Sequence, residues 1–391
     1  MKKKLIFITE ALWIGGIETA LINLLNRLDY DRYDVTCLIL RDVQDMAARI
    51  TPRCRLIVSD RRRAVSFKEP YRYNRIYTLM EEPQNASKFR RLIWRALVLL
   101  LRAPEAKLYA SYVKHQLGRE HFDTAIIYSD RTAETAVRAI NADKFLMFYH
   151  HGAMRKEYHD TYGYRKSEHI IAVSDALAQK LRAYRHRYNE KIISVNNLID
   201  IDGVRAKSLE SPEIYFPKDR FNIVSCGRLS PAKGMDLAIN ACSLITKNGC
   251  TNISWWIVGG GPEESALREL IKEKNLEEYV TMLGMQSNPY PYIKQADLYV
   301  QPSRFEAFGL TITEALVLEK PVISTKTDGG TELISDRGNG LLCDVSSESI
   351  AAQVQLLIDN PQLRKQLADN AASVDFEASN EAIMQQLYSL F

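Results

Sequence analysis

Apolar residues along this chain gather into short runs separated by helical stretches, and the pattern occurs twice. In the first half the runs are KLIFIT (Lys4–Thr9), VTCLIL (Val35–Leu40), RLIV (Arg55–Val58), TAIIY (Thr124–Tyr128), KFLMFY (Lys144–Tyr149), HIIAVS (His169–Ser174) and KIISV (Lys191–Val195). They are continuous rather than alternating, which predicts strands of a parallel sheet covered on both faces. After the first run, GGIETALINLLNRL puts Ile17, Leu21, Leu24, Leu25 and Leu28 on one face of a helix. A helix between strands predicts βαβ units. The stretch Asp202–Arg220 is polar, carries two prolines and reads as a linker. A second series then begins: FNIVSCG (Phe221–Gly227), ISWWIVG (Ile253–Gly259), YVTML (Tyr279–Leu283), DLYVQ (Asp297–Gln301), PVIST (Pro321–Thr325) and GLLC (Gly340–Cys343). From Asn380 the pattern predicts a last helix. The expected fold class is α/β, with two doubly wound Rossmann-like domains facing a central cleft, where the strand ends of such sheets bind ligands.

A length of 391 residues agrees with two domains, and 46% hydrophobic with 26% charged residues is a globular composition. The six cysteines are scattered without a Cys-x-x-Cys pair, which argues against a zinc site or a disulfide framework and for a reducing, cytoplasmic setting. The basic start MKKKLIFITE has too short an apolar run for a signal peptide, and no run reaches the roughly 20 apolar residues of a membrane span.

Charge changes the picture in one place. Net charge is +4, but Arg53–Arg119 holds 16 Lys+Arg against 5 Asp+Glu, an excess of +11 that leaves −7 elsewhere. The insert Ser66–Arg119 contains RRLIWRALVLLLRA, an apolar core bracketed by arginines. It is too short to span a bilayer. One reading lays it in a membrane interface with its arginines on lipid phosphates; the other is an ordinary core helix with a basic outer end.

Several motifs fall at predicted strand ends. GRLSPAKG (Gly227–Gly234) would bring Arg228 and Lys233 into the cleft, two cations suited to a diphosphate, or it is a solvated loop with two surface cations. In IVGGGP, Gly259, Gly260 and Gly261 would let a nucleotide approach the backbone, or form a tight turn; the dinucleotide pattern G-x-G-x-x-G is absent. Gly15 and Gly16 of WIGGIET offer the same two readings across the cleft. His150 and His151 follow a strand, where adjacent side chains point apart, so a metal pair is not expected. One would hydrogen-bond substrate and the other would be structural. In PSRFEAFGLTITEAL, the amides of Gly309, Leu310 and Thr311 open a helix and would point at an anion. Glu306 precedes that helix on a loop entering the cleft, and Glu314 lies inside its first turns, where it could turn toward a ribose. The alternative is two unrelated surface glutamates.

These motifs together resemble the retaining GT-B glycosyltransferases of family four, the glycosyl transferases group 1. The carboxylate pair with seven residues between is met by Glu306 and Glu314 in ADLYVQPSRFEAFGLTITEAL. GRLSPAKG, IVGGGP and DGGTELI (Asp328–Ile334) also fit. GGIE, the His-Gly after a strand, IIAVSDALAQKL and VNNLID match more loosely. The resemblance implies an acceptor-binding domain over residues 1–202 and a nucleotide-sugar-binding domain over 203–375, with a C-terminal helix of about 376–391 packed back on the first. It implies that Arg228, Lys233 and the Gly309–Thr311 amides hold the donor diphosphate, that Glu306 contacts the donor sugar near the reacting carbon, and that Glu314 holds the ribose. His151 would touch the donor sugar or lie near the reaction centre, with His150 as second choice.

No metal or other cofactor is expected, and a UDP-sugar is the first expectation for the donor. The implied chemistry is transfer with retention through an oxocarbenium-like transition state, the leaving phosphate taking the acceptor's proton; a covalent Glu306–glycosyl intermediate is less favoured. The expected acceptor is a glycan or lipid-linked molecule in bacterial surface polysaccharide synthesis. An anionic membrane surface could be met through Arg53–Arg119, which would make the protein peripheral on the inner face, and no nucleic acid is expected. Rival readings are a nucleotide-sugar epimerase of the same architecture and a non-catalytic partner that keeps the fold. A nicotinamide dehydrogenase is disfavoured by the missing fingerprint.

Overall fold

The computed structural model describes residues 2–59, 109–152 and 161–391. The apolar core of the basic insert, with its membrane-facing reading, lies outside the described residues. So do most of the arginines and lysines of Arg53–Arg119.

All thirteen apolar runs form strands. The first sheet contains β1 (Lys3–Thr9), β2 (Tyr33–Ile39), β3 (Arg55–Val58), β4 (His121–Ile127), β5 (Asn141–Tyr149), β6 (His169–Ala172) and β7 (Ile192–Ser194), in the order β3-β2-β1-β4-β5-β6-β7. The second contains β8 (Phe221–Cys226), β9 (Ile253–Val258), β10 (Val280–Gly284), β11 (Leu298–Gln301), β12 (Val322–Thr325) and β13 (Leu341–Cys343), in the order β10-β9-β8-β11-β12-β13. Neighbouring strands are parallel throughout. Continuous apolarity has its cause here: every residue of β9, including Trp255 and Trp256, is buried, because helices cover both faces. Each sheet reverses its winding direction once, between β1 and β4 and between β8 and β11. Loops leaving those strand ends splay apart and leave a crevice.

The linker reading needs correction. Its first part is a helix, Ile201–Lys207, started by Asp200, whose side chain accepts from the Gly203 amide at 3.0 Å. Val204 is the buried position of that helix. Further on, Phe216 stacks on Trp256 with ring centroids 4.3 Å apart. Local capping and one aromatic contact thus order a segment whose composition is that of a tether.

The last helix, Phe376–Leu390, returns to the first sheet. Met384, Leu387 and Phe391 join the core of that sheet. Phe391 meets Phe7 edge-on at 6.2 Å, and Tyr388 stacks on Tyr33 at 5.5 Å. Asn380 closes the arrangement with two bonds to the backbone of Ile199, accepting at 3.1 Å and donating at 2.9 Å. Ala307, Phe308 and Leu310 of the second domain are buried in the same core. The loop after β11 therefore lies between the domains.

Candidate active site

The loops after β8 and β11 meet at the second switch point. Pro231–Lys233 forms one tight turn, ended by Gly234 with φ 64°. A Cβ on Gly234 would lie 2.1 Å from the Pro302 carbonyl oxygen, so only glycine permits this approach. The Ala232 carbonyl accepts from the amides of Arg304 (2.8 Å) and Phe305 (3.1 Å). Arg304 also grips Asp236 with both guanidinium nitrogens, at 2.7 and 2.6 Å. This pair holds the Asp236 carboxyl below its usual range. The result is direct contact between Lys233 and Glu306, which form an ion pair with side chains 25% and 11% exposed.

The helix Leu310–Val317 starts two residues after the interdomain contact at Phe308. Gly309 caps it with φ 98°, a conformation that glycine adopts without strain. Its internal bonds begin with the amide of Ile312, which donates to the Gly309 carbonyl at 2.9 Å. The amides of Gly309, Leu310 and Thr311 precede that ladder and carry the positive end of the helix dipole. Glu314 is buried, with its carboxylate accepting from the Tyr290 hydroxyl at 3.0 Å. Burial pushes its pKa up to about 7, against the Tyr290 bond and the charges of Arg49 and Lys207, which lower it.

The first domain supplies the facing wall. A Cβ on Gly152 would meet the Ala307 amide nitrogen at 3.2 Å and the Glu306 backbone at 3.3 Å, so the His-Gly after β5 lies against the Glu306 loop. His151 Nε2 pairs with Asp130 Oδ1 at 3.0 Å, and Asp130 is itself buried. His150 turns the other way. Its ring sits 4.7 Å from Tyr128 and 5.8 Å from Phe148. Burial, with the adjacent His151, pushes its pKa down to about 3, so it is a neutral packing residue. Of the two, His151 is the one with an acidic partner, and the Gly152 that follows it lies against the Glu306 loop.

Two further contacts fix that loop from below. Ser174 donates to the Ala307 carbonyl at 2.7 Å while capping its own helix, and Gly329 donates to the Glu306 carbonyl at 2.9 Å. Lys180 of the first domain pairs with Asp328 of the second.

Two of the three glycines of IVGGGP pack against the loop after β8, as the tight-turn reading expects. A Cβ on Gly259 would be 1.9 Å from the Gly227 carbonyl oxygen, and one on Gly261 would be 2.3 Å from that of Leu229. Both allow the loops after β8 and β9 to touch. Gly260 faces the Met285 side chain instead. Gly15 precedes the helix Gly16–Arg27 in an extended conformation, and the Glu18 carboxylate folds over it. Burial pushes Glu18 up to about 7 even with Arg228 near enough to lower it. Arg228 is exposed.

Asp130, Asp236, Arg304 and Glu18 were not singled out from sequence. The first three act through partners distant along the chain, so no local pattern marks them, and Glu18 owes its shift to burial. Among the described residues no cluster of His, Cys, Asp or Glu could hold a metal ion, and no helix is long and apolar enough to cross a membrane.

Two Rossmann-like domains whose strand-end loops meet across one crevice define the GT-B class. Anabaena HepE, solved in complex with UDP and glucose, has this fold: it superposes with a TM-score of 0.70 at 20% identity, covering 99% of this chain and 100% of that one. Residues 207–374, which include the whole second sheet, match the family described as glycosyl transferases group 1. Among named relatives, the alpha-D-kanosaminyltransferase of Streptomyces kanamyceticus is 28% identical over 216 residues, 53% of this chain and 55% of the relative. An N-acetylgalactosaminyltransferase of Campylobacter jejuni, acting on a diphospho-undecaprenol-linked sugar by its name, is 34% identical over 177 residues, 45% of this chain and 46% of the relative. The chain thus spans about half the length of these two relatives.

Proposed function

We propose that this protein is a retaining, hexosyltransferase-type glycosyltransferase of family four. It moves a sugar from a nucleotide-diphosphate donor, with UDP as first choice, to a glycan or lipid-linked acceptor in bacterial surface polysaccharide synthesis. The observation that carries the reading is the meeting of Lys233, Glu306 and the helix start at Gly309 against His151–Gly152 of the opposite domain. The UDP complex of the structural neighbour and the glycan-directed names of the relatives support it.

In this reading the donor diphosphate takes Lys233 away from Glu306 and lies on the amides of Gly309–Thr311, with Arg228 closing from the exposed side. Two cations and three amides compensate its charge without a metal. Glu314, deeper in the same helix, accepts the ribose hydroxyls. Glu306, released from Lys233, faces the sugar carbon on which positive charge develops, and His151, oriented by Asp130, donates to a sugar hydroxyl. The leaving phosphate oxygen takes the acceptor proton, so the new bond forms on the face the old one left. Domain 1–202 receives the acceptor. Attachment to an anionic membrane face through the basic segment is part of the proposal.

The test is a thermal-shift screen with UDP-, GDP- and ADP-sugars, since a bound donor raises the melting temperature, followed by turnover. Glu306→Ala and Lys233→Ala should each cut transfer by about 10²–10³-fold, the usual effect of losing one oriented charge at such a site, with melting temperatures preserved. Near-wild-type turnover in both variants would sink the assignment. Epimerised donor without acceptor, or no donor binding at all, would favour an epimerase or a non-catalytic protein.

A further inference from the structure

Beneath Glu306 lies a buried chain of polar side chains. Tyr299 and Gln301 project from β11, and Ser303 and Thr311 follow in the loop and in the first helical turn. The Gln301 carbonyl oxygen Oε1 accepts from the Tyr299 hydroxyl at 2.6 Å and from Thr311 Oγ1 at 3.0 Å. Two hydroxyl donors on one oxygen fix which way the amide points. Its nitrogen Nε2 then donates to Ser303 Oγ at 2.8 Å. With its lone pair engaged, Ser303 turns its proton to Glu306 Oε2, 3.5 Å away. Tyr299, Gln301 and Ser303 are almost wholly excluded from solvent. Thr325 pins the backbone below, donating to the carbonyls of Ser303 (2.5 Å) and Gln301 (3.3 Å).

Every bond in the chain points the same way, toward the carboxylate. A buried network of this kind is strong when all members are satisfied, and here its loose end is the last bond. Lys233 occupies the same Oε2. A diphosphate that draws Lys233 away leaves Glu306 with one remaining side-chain donor among these contacts, the Ser303 hydroxyl.

We propose that Gln301 and Ser303 are positioning residues for Glu306: they aim a hydroxyl proton at its carboxylate and hold it toward the sugar once the donor diphosphate has taken Lys233. Thr311 ties the chain to the helix turn that meets the phosphates, so donor binding and carboxylate placement share one hydrogen-bonded path. The proposal rests on the donor-transfer reading above.

The test uses the full chain with UDP-glucose, GDP-mannose and ADP-glucose, following nucleotide release, with UDP affinity by calorimetry and melting temperature alongside. In Ser303→Ala we expect kcat to fall about tenfold, the worth of one aimed hydrogen bond to a charge. Donor KM and UDP affinity should stay within about twofold. Ser303→Thr, which keeps the hydroxyl, should recover most of kcat. Gln301→Met should behave like Ser303→Ala, because Tyr299 retains the Cys226 carbonyl at 3.3 Å as an acceptor and the fold is kept. Unchanged kcat in Ser303→Ala, or equal losses in kcat, affinity and melting temperature, would overturn the positioning role, while loss of transfer in Glu306→Ala would leave the donor-site reading standing. Wild-type protein that turned over none of the three donors would overturn the transfer reading and this role with it.

Discussion

Glu314→Gln separates what the buried carboxylate does for binding from what it costs the fold. An acid whose pKa rises from 4.5 unfolded to about 7 folded keeps its proton longer in the native state. Between those values the native state binds more protons, so stability falls as pH rises. The stabilising term is complete below pH 4.5 and is lost as pH passes 7. A shift of that size corresponds to about 3 kcal/mol as an upper limit. Glutamine has the same shape, can still accept from the Tyr290 hydroxyl and never ionises. The variant should therefore melt close to wild type at pH 5 and several degrees above it at pH 8, at roughly 2–4 °C per kcal/mol for a domain of this size. Differential scanning fluorimetry from pH 5 to 9, without nucleotide, measures the difference. Taking wild type minus variant cancels Glu18, which titrates in the same range. Calorimetry with UDP should show weaker binding by the same variant at pH 8, because a neutral amide is a poorer acceptor for ribose hydroxyls than a carboxylate. A melting difference that stayed flat with pH would refute the burial argument.

The loops that bring Lys233 to Glu306 give two more tests. Gly234→Ala places a Cβ 2.1 Å from the Pro302 carbonyl oxygen at a left-handed backbone position. It should cost about 1–3 kcal/mol of stability by chemical denaturation and weaken UDP binding together with it. Asp236→Asn removes one partner of the Arg304 fork, whose members are each about one-third exposed. Melting should barely move, as for other exposed pairs, whereas steady-state assays should show donor KM raised several-fold as the Lys233 turn loosens.

Most of the thirteen strands were legible because a strand buried on both faces must be apolar throughout; the edge strand β3, with Arg55 and Leu56 exposed, was legible from its short apolar run alone. Gly309 was legible as a helix start, and the structure buries Glu314 inside that helix and leaves little of Glu306 exposed before it, so the reading of two surface glutamates falls. The segment Asp202–Arg220 was legible as a connection between the two series but not as one that opens with a helix, since the capping by Asp200 and the burial of Val204 come from outside its polar composition. The glycines after β9 looked like a nucleotide approach or a tight turn, and contact with the loop after β8 decided that two of them serve packing.

The sequence by itself determined the two parallel sheets, their order of elements and the residue types at the strand ends, because periodicity and turn chemistry act locally. Only the tertiary structure decided that His151 pairs with Asp130 while His150 packs against Tyr128, that Lys233 and Glu306 touch, and that Arg304 grips Asp236. Those are contacts between residues tens of positions apart. Their energy depends on distance and burial in space, and the chain acquires both only when each sheet has formed and its strand-end loops meet.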